Sequence, residues 1–314
     1  MRTVNNIRLT TPVEASKLSF KLSHHNSVMT VGSCFTENMG GRLQRLRFRV
    51  MVNPFGIMYN PFSIATVITR CLDDMPLDDS FLVYHDGLWH SWLHHGSFSR
   101  PDKEECLEVC NTAVHEAHRF LCGCDTLIVT FGSAWYFNLL ENGVTVANCH
   151  KVPAARFEKR LATVDDVVSC WNPLIDKLRE EGIRTLFTVS PVRHSAYGAH
   201  GNQLGKAVLL LALEQLGVDY FPAYEIMMDE LRDYRFYADD LLHPSAMAEE
   251  IVWRRLQESL MPEETVELCA KIEQLNALEG HRLLHPDAGS ANLMQEKMCS
   301  LQREVERLLG SDRF

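Results

Sequence analysis

A serine stands directly after a short apolar run near the start of the chain. Residues 27–31 (SVMTV) are typical of a buried strand, Gly32 and Ser33 break it, and a helix is expected over 36–46. A hydroxyl in such a strand-to-helix turn lies exposed above a sheet, and the free N–H groups of the helix start can stabilise an anion. Ser33 is therefore a candidate nucleophile, although a Gly-Ser pair before a helix is more often a plain turn and helix N-cap.

A carboxylate and an imidazole stand three residues apart near the other end of the chain. A tight turn can place Asp240 and His243 on one side of the segment 239–245. An imidazole with a pKa near its ordinary value of about 6.5 can take and return a proton at neutral pH, and a carboxylate fixes its tautomer. Alone, this pattern is more often a surface loop with Ser245 as an N-cap. Its pairing with Ser33 favours a general base and its orienting group.

Five β-branched or aromatic runs alternate with longer segments of helical spacing. These runs are 27–31, 48–52, 126–131, 185–189 and 218–221. The alternation predicts a three-layer α/β fold with a five-stranded parallel sheet covered by helices. Ser33 and the segment of His243 would then follow the first and the last strand, at the carboxyl edge where α/β sheets place their sites.

Two segments fall outside this pattern. About 70 residues separate the second and third strands, more than one crossover helix needs, so we interpret 75–122 as an insertion with a helix over 102–122. Its aromatic and imidazole side chains would line a cleft or form a small hairpin packed on the sheet; they are Trp89, His90, Trp92, His94 and His95. The main domain is expected over 1–262. A helical, charged extension over 263–314, with a break at 285–289, would close the fold or join a second copy in a homo-oligomer.

Composition narrows the class of protein. The 314 residues are 46% hydrophobic with a formal charge of −10, which argues against binding nucleic acid. Ten cysteines are too few for a disulfide scaffold, so a reducing compartment, the cytoplasm, is expected. The start of the chain lacks the apolar segment of a secretory signal. No stretch approaches the length of a membrane-spanning helix, and no membrane span is expected.

Cysteine and histidine spacing raises two other chemistries. On a helix, Cys106, Cys110, Ala113 and Ala117 share one stripe, which favours burial of the cysteines as small hydrophobes. Neither they nor the histidines and cysteines around them have the spacing of a structural zinc site, so no metal is expected. A thiol nucleophile remains an alternative, because Cys34 adjoins Ser33, Cys149 adjoins His150, and a helix N-terminus lowers a thiol pKa.

The combination of Ser33 after the first strand and D-x-x-H after the last resembles the SGNH or GDSL-type hydrolases, and the chain resembles the GSCFA-domain family more closely still. The motifs that carry the likeness are 31–35 (VGSCF), 53–61 (NPFGIMYNP), 130–135 (TFGSAW), 148–153 (NCHKVP), 189–194 (VSPVRH), 220–226 (YFPAYEI), 229–237 (DELRDYRFY) and 240–244 (DLLHP). They cover roughly residues 28 to 255. Thr36 stands where the family name has alanine. The resemblance implies an SGNH-like, flavodoxin-like fold.

Residue by residue, the resemblance implies Ser33 as nucleophile, His243 as base and Asp240 as its orienting group. The oxyanion hole of the wider group uses the N–H of the nucleophile, a glycine N–H after the second strand and an asparagine side chain after the third. Ser33 and Gly56 match the first two donors. Residues 132–135 (GSAW) lack the asparagine, and removing one such donor costs about 2.7 to 4 kcal/mol of transition-state stabilisation. The expected substitutes are the hydroxyl of Ser133 and the amide of Asn148.

The predicted function is therefore a serine acyl-ester hydrolase that needs no cofactor and acts on a small-molecule or saccharide ester. His150, Arg193 and His194 follow predicted strands and are candidates for substrate binding, with structural roles at the sheet edge as the alternative. Two other functions stay open. One is acyl transfer to a sugar hydroxyl; the other is a binding module for an acylated or saccharide ligand, which would also explain the missing third donor.

Overall fold

The structure is a computed structural model that describes residues 10–14, 17–280 and 288–311. Ten strands are formed by these residues: β1 (Ser27–Gly32), β2 (Arg49–Val52), β3 (Leu82–His85), β4 (Leu88–Ser91), β5 (Thr126–Phe131), β6 (Trp135–Leu139), β7 (Thr145–Val146), β8 (Phe157–Leu161), β9 (Arg184–Val189) and β10 (Asp219–Phe221). The helices of the same ranges are α1 (Cys34–Arg45), α2 (Pro61–Leu72), α3 (Lys103–Leu121), α4 (Val164–Glu180), α5 (Gly198–Leu216), the single turn α6 (Ala223–Glu225), α7 (Ala246–Leu260), α8 (Glu263–Gly280) and α9 (Ala288–Ser311).

The central sheet has five parallel strands in the order β10-β9-β5-β1-β2. In chain order of the sheet strands this is 2-1-3-4-5, the flavodoxin-like arrangement. Gly32 pairs with Thr130 and Thr130 with Thr188, so β1, β5 and β9 end at the same edge. Each of the five predicted runs is confirmed to within one residue at either end, and the three-layer α/β fold is confirmed with them.

Burial on both faces explains why β1 is a continuous apolar run. Val28 packs in a cluster with α1, α7 and α8, whereas Met29 and Val31 pack in a second cluster with α2, α3, α4 and α5. The sheet therefore separates two layers of helices. Strand β1, which ends at Ser33, is thus packed between the two layers.

The insertion forms a hairpin of β3 and β4, in which Val83 pairs with His90, followed by α3. Of the five aromatic and imidazole side chains, His90, Trp92 and His94 are buried, as the hairpin interpretation requires, whereas Trp89 is half-buried and His95 is exposed. Cys106 and Cys110 lie in a buried stripe of α3 against Leu82, as predicted. A second small antiparallel sheet, in the order β7-β6-β8, was not predicted.

The C-terminal helices pack on the main domain. Helix α8 buries Cys269, Ile272 and Leu275 in the same cluster as α1 and α7, and Lys271 Nζ lies 2.7 Å from Glu304 Oε1 of α9. The break predicted at 285–289 begins within 281–287, which lies outside the described residues, as do the first nine residues. Among the described helices, none is both long and apolar enough to cross a membrane.

Candidate active site

Ser33 occupies the junction between β1 and α1. It is the N-cap residue of α1, with an extended backbone and a carbonyl that accepts the N–H of Glu37 at 3.3 Å. Its side chain does not cap the helix, and its Oγ finds no hydrogen-bond partner among the described residues. The residue is 0% exposed, so the expectation of a hydroxyl exposed above the sheet is wrong. Ser33 thus takes the N-cap position of α1, while its hydroxyl makes no capping hydrogen bond.

Gly32 sets the approach of β1 to this turn. Its φ is +150°, and a Cβ added to it would lie 2.3 Å from the carbonyl oxygen of Thr130. Only glycine fits so close to the neighbouring strand. The Gly32 N–H donates to Asn53 Oδ1 at 2.9 Å and its carbonyl accepts the N–H of Met58 at 2.9 Å. The segment after β2 thus holds the backbone directly before Ser33.

Asp240 and His243 form a directly hydrogen-bonded pair. His243 Nδ1 lies 2.6 Å from Asp240 Oδ2, while Asp240 Oδ1 accepts the backbone N–H groups of His243 at 3.0 Å and Leu242 at 2.9 Å. These hydrogen bonds, the His243 N–H foremost, lower the pKa of Asp240 to about 2, so the carboxylate is ionised at neutral pH. An ionised carboxylate accepts a proton-bearing Nδ1 and leaves Nε2 as the free acceptor. His243 is about half exposed, at 48%.

Backbone hydrogen bonds hold the segment of Asp240 and His243 at the carboxyl edge of the sheet. The N–H of Arg193, four residues after β9, donates to the carbonyl of Leu242 at 3.1 Å. Tyr237 forms a bridge with Pro244, and the Ala238 N–H donates to the His243 carbonyl at 2.8 Å. Two strand spacings, about 10 Å, separate β9 from β1. The structure therefore joins Asp240 to His243 and places Ser33 on the same edge, without a hydrogen bond between Ser33 and His243 in the described part of the chain.

His194 and Lys206 occupy the same edge. Burial lowers the pKa of His194 to about 4, with the charges of Lys206 and His243 adding to the effect, and its ring packs edge-on against Tyr59 at 5.5 Å. Lys206 of α5 is 1% exposed, and its Nζ donates to the carbonyls of Gly132 at 2.8 Å and Ser190 at 2.6 Å. Burial lowers the pKa of Lys206 to about 7. Lys206 thus ties the ends of β5 and β9 together.

Of the expected oxyanion donors, only the Gly56 N–H is engaged as a donor, whereas Ser133 and Asn148 accept hydrogen bonds through their oxygens and keep their own donor groups. The Gly56 N–H donates to the Asn53 carbonyl at 2.7 Å, which corrects its predicted role as a free donor. Ser133 Oγ accepts the Trp135 N–H at 3.1 Å, and Asn148 Oδ1 accepts the N–H of the residue two places on at 2.9 Å. Gly56 is needed for packing instead, because its φ is +78° and an added Cβ would meet the Cβ of a neighbouring side chain at 2.2 Å.

His150 lies in the interior of the insertion. Its Nε2 lies 2.7 Å from the Ser91 carbonyl, its ring stacks on His90 at 4.6 Å, and burial lowers its pKa to about 4. This buried, neutral ring packs the hairpin, which corrects its predicted role in substrate binding.

Arg193 lines a recess beside the turn of His243. The recess has a volume of about 220 Å³ and also includes Met227, Tyr234 and Tyr237. The Arg193 guanidinium carbon lies 5.7 Å from the centre of the Tyr237 ring. Arg193 therefore remains a candidate for substrate binding, with a cation and aromatic faces available to a ligand.

The thiol alternative is not supported. Burial raises the pKa of Cys34 despite its place at the start of α1, and burial raises the pKa of Cys149 to about 11. Both thiols are therefore protonated at neutral pH, and a thiol is a far weaker nucleophile than a thiolate. Within the described ranges, no group of three or more histidine, cysteine or acidic side chains is placed to hold a metal ion.

Sequence comparison places the chain in a family. Residues 27–256 match the model of the GSCFA family, and the chain belongs to this family. The resemblance drawn from the motifs is thus confirmed. A search of curated proteins finds no match.

Similar solved structures are distant. One is a candidate acylhydrolase from Bacteroides fragilis, with a TM-score of 0.39 and 7% identity, covering 77% of this chain and 90% of that one. Another is a candidate GDSL-like lipase from Parabacteroides merdae, with a TM-score of 0.37 and 10% identity, covering 78% of this chain and 98% of that one.

Proposed function

We propose that this protein is a serine acyl-ester hydrolase in which Ser33 is the nucleophile, His243 the general base and Asp240 the group that orients it. The observation that carries the proposal is the 2.6 Å contact between His243 Nδ1 and Asp240 Oδ2 on the edge where β1 delivers Ser33. A carboxylate that fixes the histidine tautomer leaves Nε2 ready to accept the serine proton.

The first half of the reaction forms an acyl-enzyme. Ser33 Oγ attacks the ester carbonyl carbon, the π electron pair moves onto the carbonyl oxygen, and the serine proton passes to His243 Nε2. Asp240 stabilises the resulting imidazolium. The tetrahedral intermediate then collapses, the bond from carbon to the ester oxygen breaks, and the alcohol leaves with the proton from His243.

The second half restores the enzyme. Water attacks the acyl-enzyme while His243 takes its proton, and collapse releases the acid and returns the proton to Ser33 Oγ. Transfer to a sugar hydroxyl follows the same steps with that hydroxyl in place of water. The recess holds two tyrosines and two arginines, Arg193 and Arg232, against one carboxylate, Asp233, and this lining supports a hydroxyl-rich or acidic ester as substrate.

The reaction requires Ser33 Oγ to come within about 3 Å of His243 Nε2 when substrate binds, a tightening that is common between free enzymes and their complexes. The complete burial of Ser33 and the engaged N–H of Gly56 support a second candidate, a binding module of the same fold without turnover. Ten free thiols suit the reducing compartment proposed for either function.

A fluorophosphonate probe separates the two functions. The hydrolase predicts a mass increase on the Ser33 peptide of the wild-type protein and none in Ser33→Ala. Ser190→Ala is the matched control, since Ser190 is another buried serine at the end of a central strand, with Oγ accepting the Val192 N–H; it should stay labelled. Hydrolysis of p-nitrophenyl esters of graded chain length should likewise be seen with the wild type and with Ser190→Ala, and be lost in Ser33→Ala. Absence of both adduct and turnover in the wild type would overturn the hydrolase and favour the binding module.

A further inference from the structure

The proposed reaction lacks donors at the positions where the wider group has them. The Gly56 N–H closes a turn with Asn53, and no amide side chain follows β5 at 132–135. The N–H of Ser33 at the start of α1 is one donor for a developing oxyanion. A hydrolase of ordinary activity needs another.

Asn53 lies directly after β2, beside the backbone of the nucleophile turn. Its N–H donates to the Thr30 carbonyl at 2.8 Å, which continues the pairing of β2 with β1. Its φ is +42°, in the left-handed region that asparagine tolerates better than most residues. With the backbone turned in this way, the side chain replaces the main chain as the partner of β1, and Oδ1 accepts the Gly32 N–H at 2.9 Å.

This hydrogen bond fixes which way the amide faces. A backbone N–H can be accepted only by the oxygen of an asparagine side chain, so Nδ2 is the other atom of the amide and remains free to donate. Gly32 is covalently joined to Ser33. The amide is thereby held one residue from the nucleophile.

Nδ2 has no structural use of its own. Asn53 is 7% exposed, and its Nδ2 is buried without a hydrogen-bond partner in the part of the chain that the structure describes. Ser33 Oγ is in the same condition. A buried donor left unpaired lowers the stability of the fold, so its presence calls for an explanation.

We infer that Asn53 Nδ2 is a catalytic donor of the oxyanion hole, supplied from the end of β2 in place of the asparagine missing after β5. The inference rests on the proposed hydrolase function. When Ser33 Oγ attacks, the carbonyl electron pair moves onto oxygen, and this oxygen accepts hydrogen bonds from the Ser33 N–H and from Asn53 Nδ2. No bond to Asn53 is made or broken.

Two substitutions test the donor separately from the fold. Asn53→Asp keeps an oxygen for the Gly32 N–H and tolerates the positive φ but removes the NH₂ group. Asn53→Gly removes the donor without adding a charge. Both should lower kcat for a p-nitrophenyl ester by about 10²- to 10³-fold and leave KM within about threefold. Because a buried carboxylate also costs stability, the unfolding temperature of Asn53→Asp is measured beside its kcat.

Asn60 provides the matched control. It is another buried asparagine in the same loop, but its Nδ2 is paired with Ser63 Oγ at 2.9 Å and the Val146 carbonyl at 3.2 Å. Asn60→Asp should lower the unfolding temperature and leave kcat within about threefold. A similar loss of kcat in Asn60→Asp would show that any buried amide in this loop matters, and would overturn the inference.

The remaining outcomes are distinct. Retained kcat in Asn53→Gly, whatever Asn53→Asp does, would overturn the inference while leaving the hydrolase intact. A wild-type protein that neither reacts with a fluorophosphonate at Ser33 nor turns over esters would overturn the proposed function itself, and with it the role of Asn53.

Discussion

Asp240 holds both ends of His243: one carboxylate oxygen lies 2.6 Å from the ring nitrogen Nδ1, and the other accepts the backbone N–H of the same residue at 3.0 Å. One side chain therefore fixes both the position of the histidine and its tautomer.

Asp240→Asn separates these two effects. The amide oxygen can still accept the backbone N–H, but an NH₂ group facing Nδ1 forces the ring proton onto Nε2, which can then no longer accept a proton from Ser33. We expect kcat to fall by about 10⁴-fold with little change in unfolding temperature, measured with a p-nitrophenyl ester. Asp239→Asn, one residue away, is the control and should retain activity. An Asp240→Asn protein with wild-type kcat would rule out His243 as the base.

Gly32→Ala tests the close approach of β1 to β5. The added Cβ would lie 2.3 Å from the Thr130 carbonyl oxygen, and the backbone at φ +150° is one that L side chains rarely adopt. We expect the free energy of unfolding to fall by at least about 2 kcal/mol in urea denaturation. Gly87→Ala is the comparison, because Gly87 also has a positive φ of +80° but nothing within 4 Å of its added Cβ. Equal losses in the two variants would mean that backbone strain alone, without the clash, sets the cost.

Buried histidines should make the fold sensitive to mild acid. Burial lowers the pKa of His94 to about 3 and that of His150 and His194 to about 4. Between these values and an unfolded pKa of about 6.5, the unfolded chain binds protons that the native protein does not, so stability falls as the pH falls through this window. Asp240 has a pKa of about 2, so its protonation lowers the stability of the fold only at a pH below this window.

Thermal unfolding from pH 7 to pH 4 measures this effect, and His94→Asn should show a shallower loss than the wild type. The same slope in wild type and variant would contradict the assignment of His94 as a buried neutral ring.

Lys206→Met tests the bridge between β5 and β9. The variant leaves the buried carbonyls of Gly132 and Ser190 without their donor, at a cost of about 1–3 kcal/mol. The pKa of Lys206 is about 7 in the native protein and about 10.4 in the unfolded chain. Between these values the unfolded chain binds a proton that the native protein does not, so the free energy of unfolding of the wild type increases as the pH rises. The advantage of the wild type over Lys206→Met in urea denaturation should therefore widen from pH 7 to pH 10. A constant difference would show that Lys206 stays charged throughout.

Local patterns predicted the elements that are buried on both faces. The strands of the central sheet could be read because each is a short apolar run between turns, and Asp240 and His243 could be paired because three residues of a tight turn bring them together. The strands β6 and β8 were not predicted, because most of their side chains are half exposed or exposed and buried side chains do not alternate with exposed ones.

The hydrogen-bond partners of the donors near Ser33 could not be predicted from the sequence. The engagement of the Gly56 N–H depends on a turn, and the use of Asn53 depends on a positive φ at the end of β2. Lys206 left a signal that was missed, since it is a lone charge within the otherwise apolar helical stretch 204–213.

The match to the GSCFA family stops at residue 256, yet the interior continues into α8, where Ile272 and Leu275 lie completely buried beside the helices of the main domain. A fragment cut at the family boundary would have an open wall of apolar side chains exposed to water. The stretch that the family model matches is thus shorter than the stretch needed to cover the hydrophobic core, which includes α8.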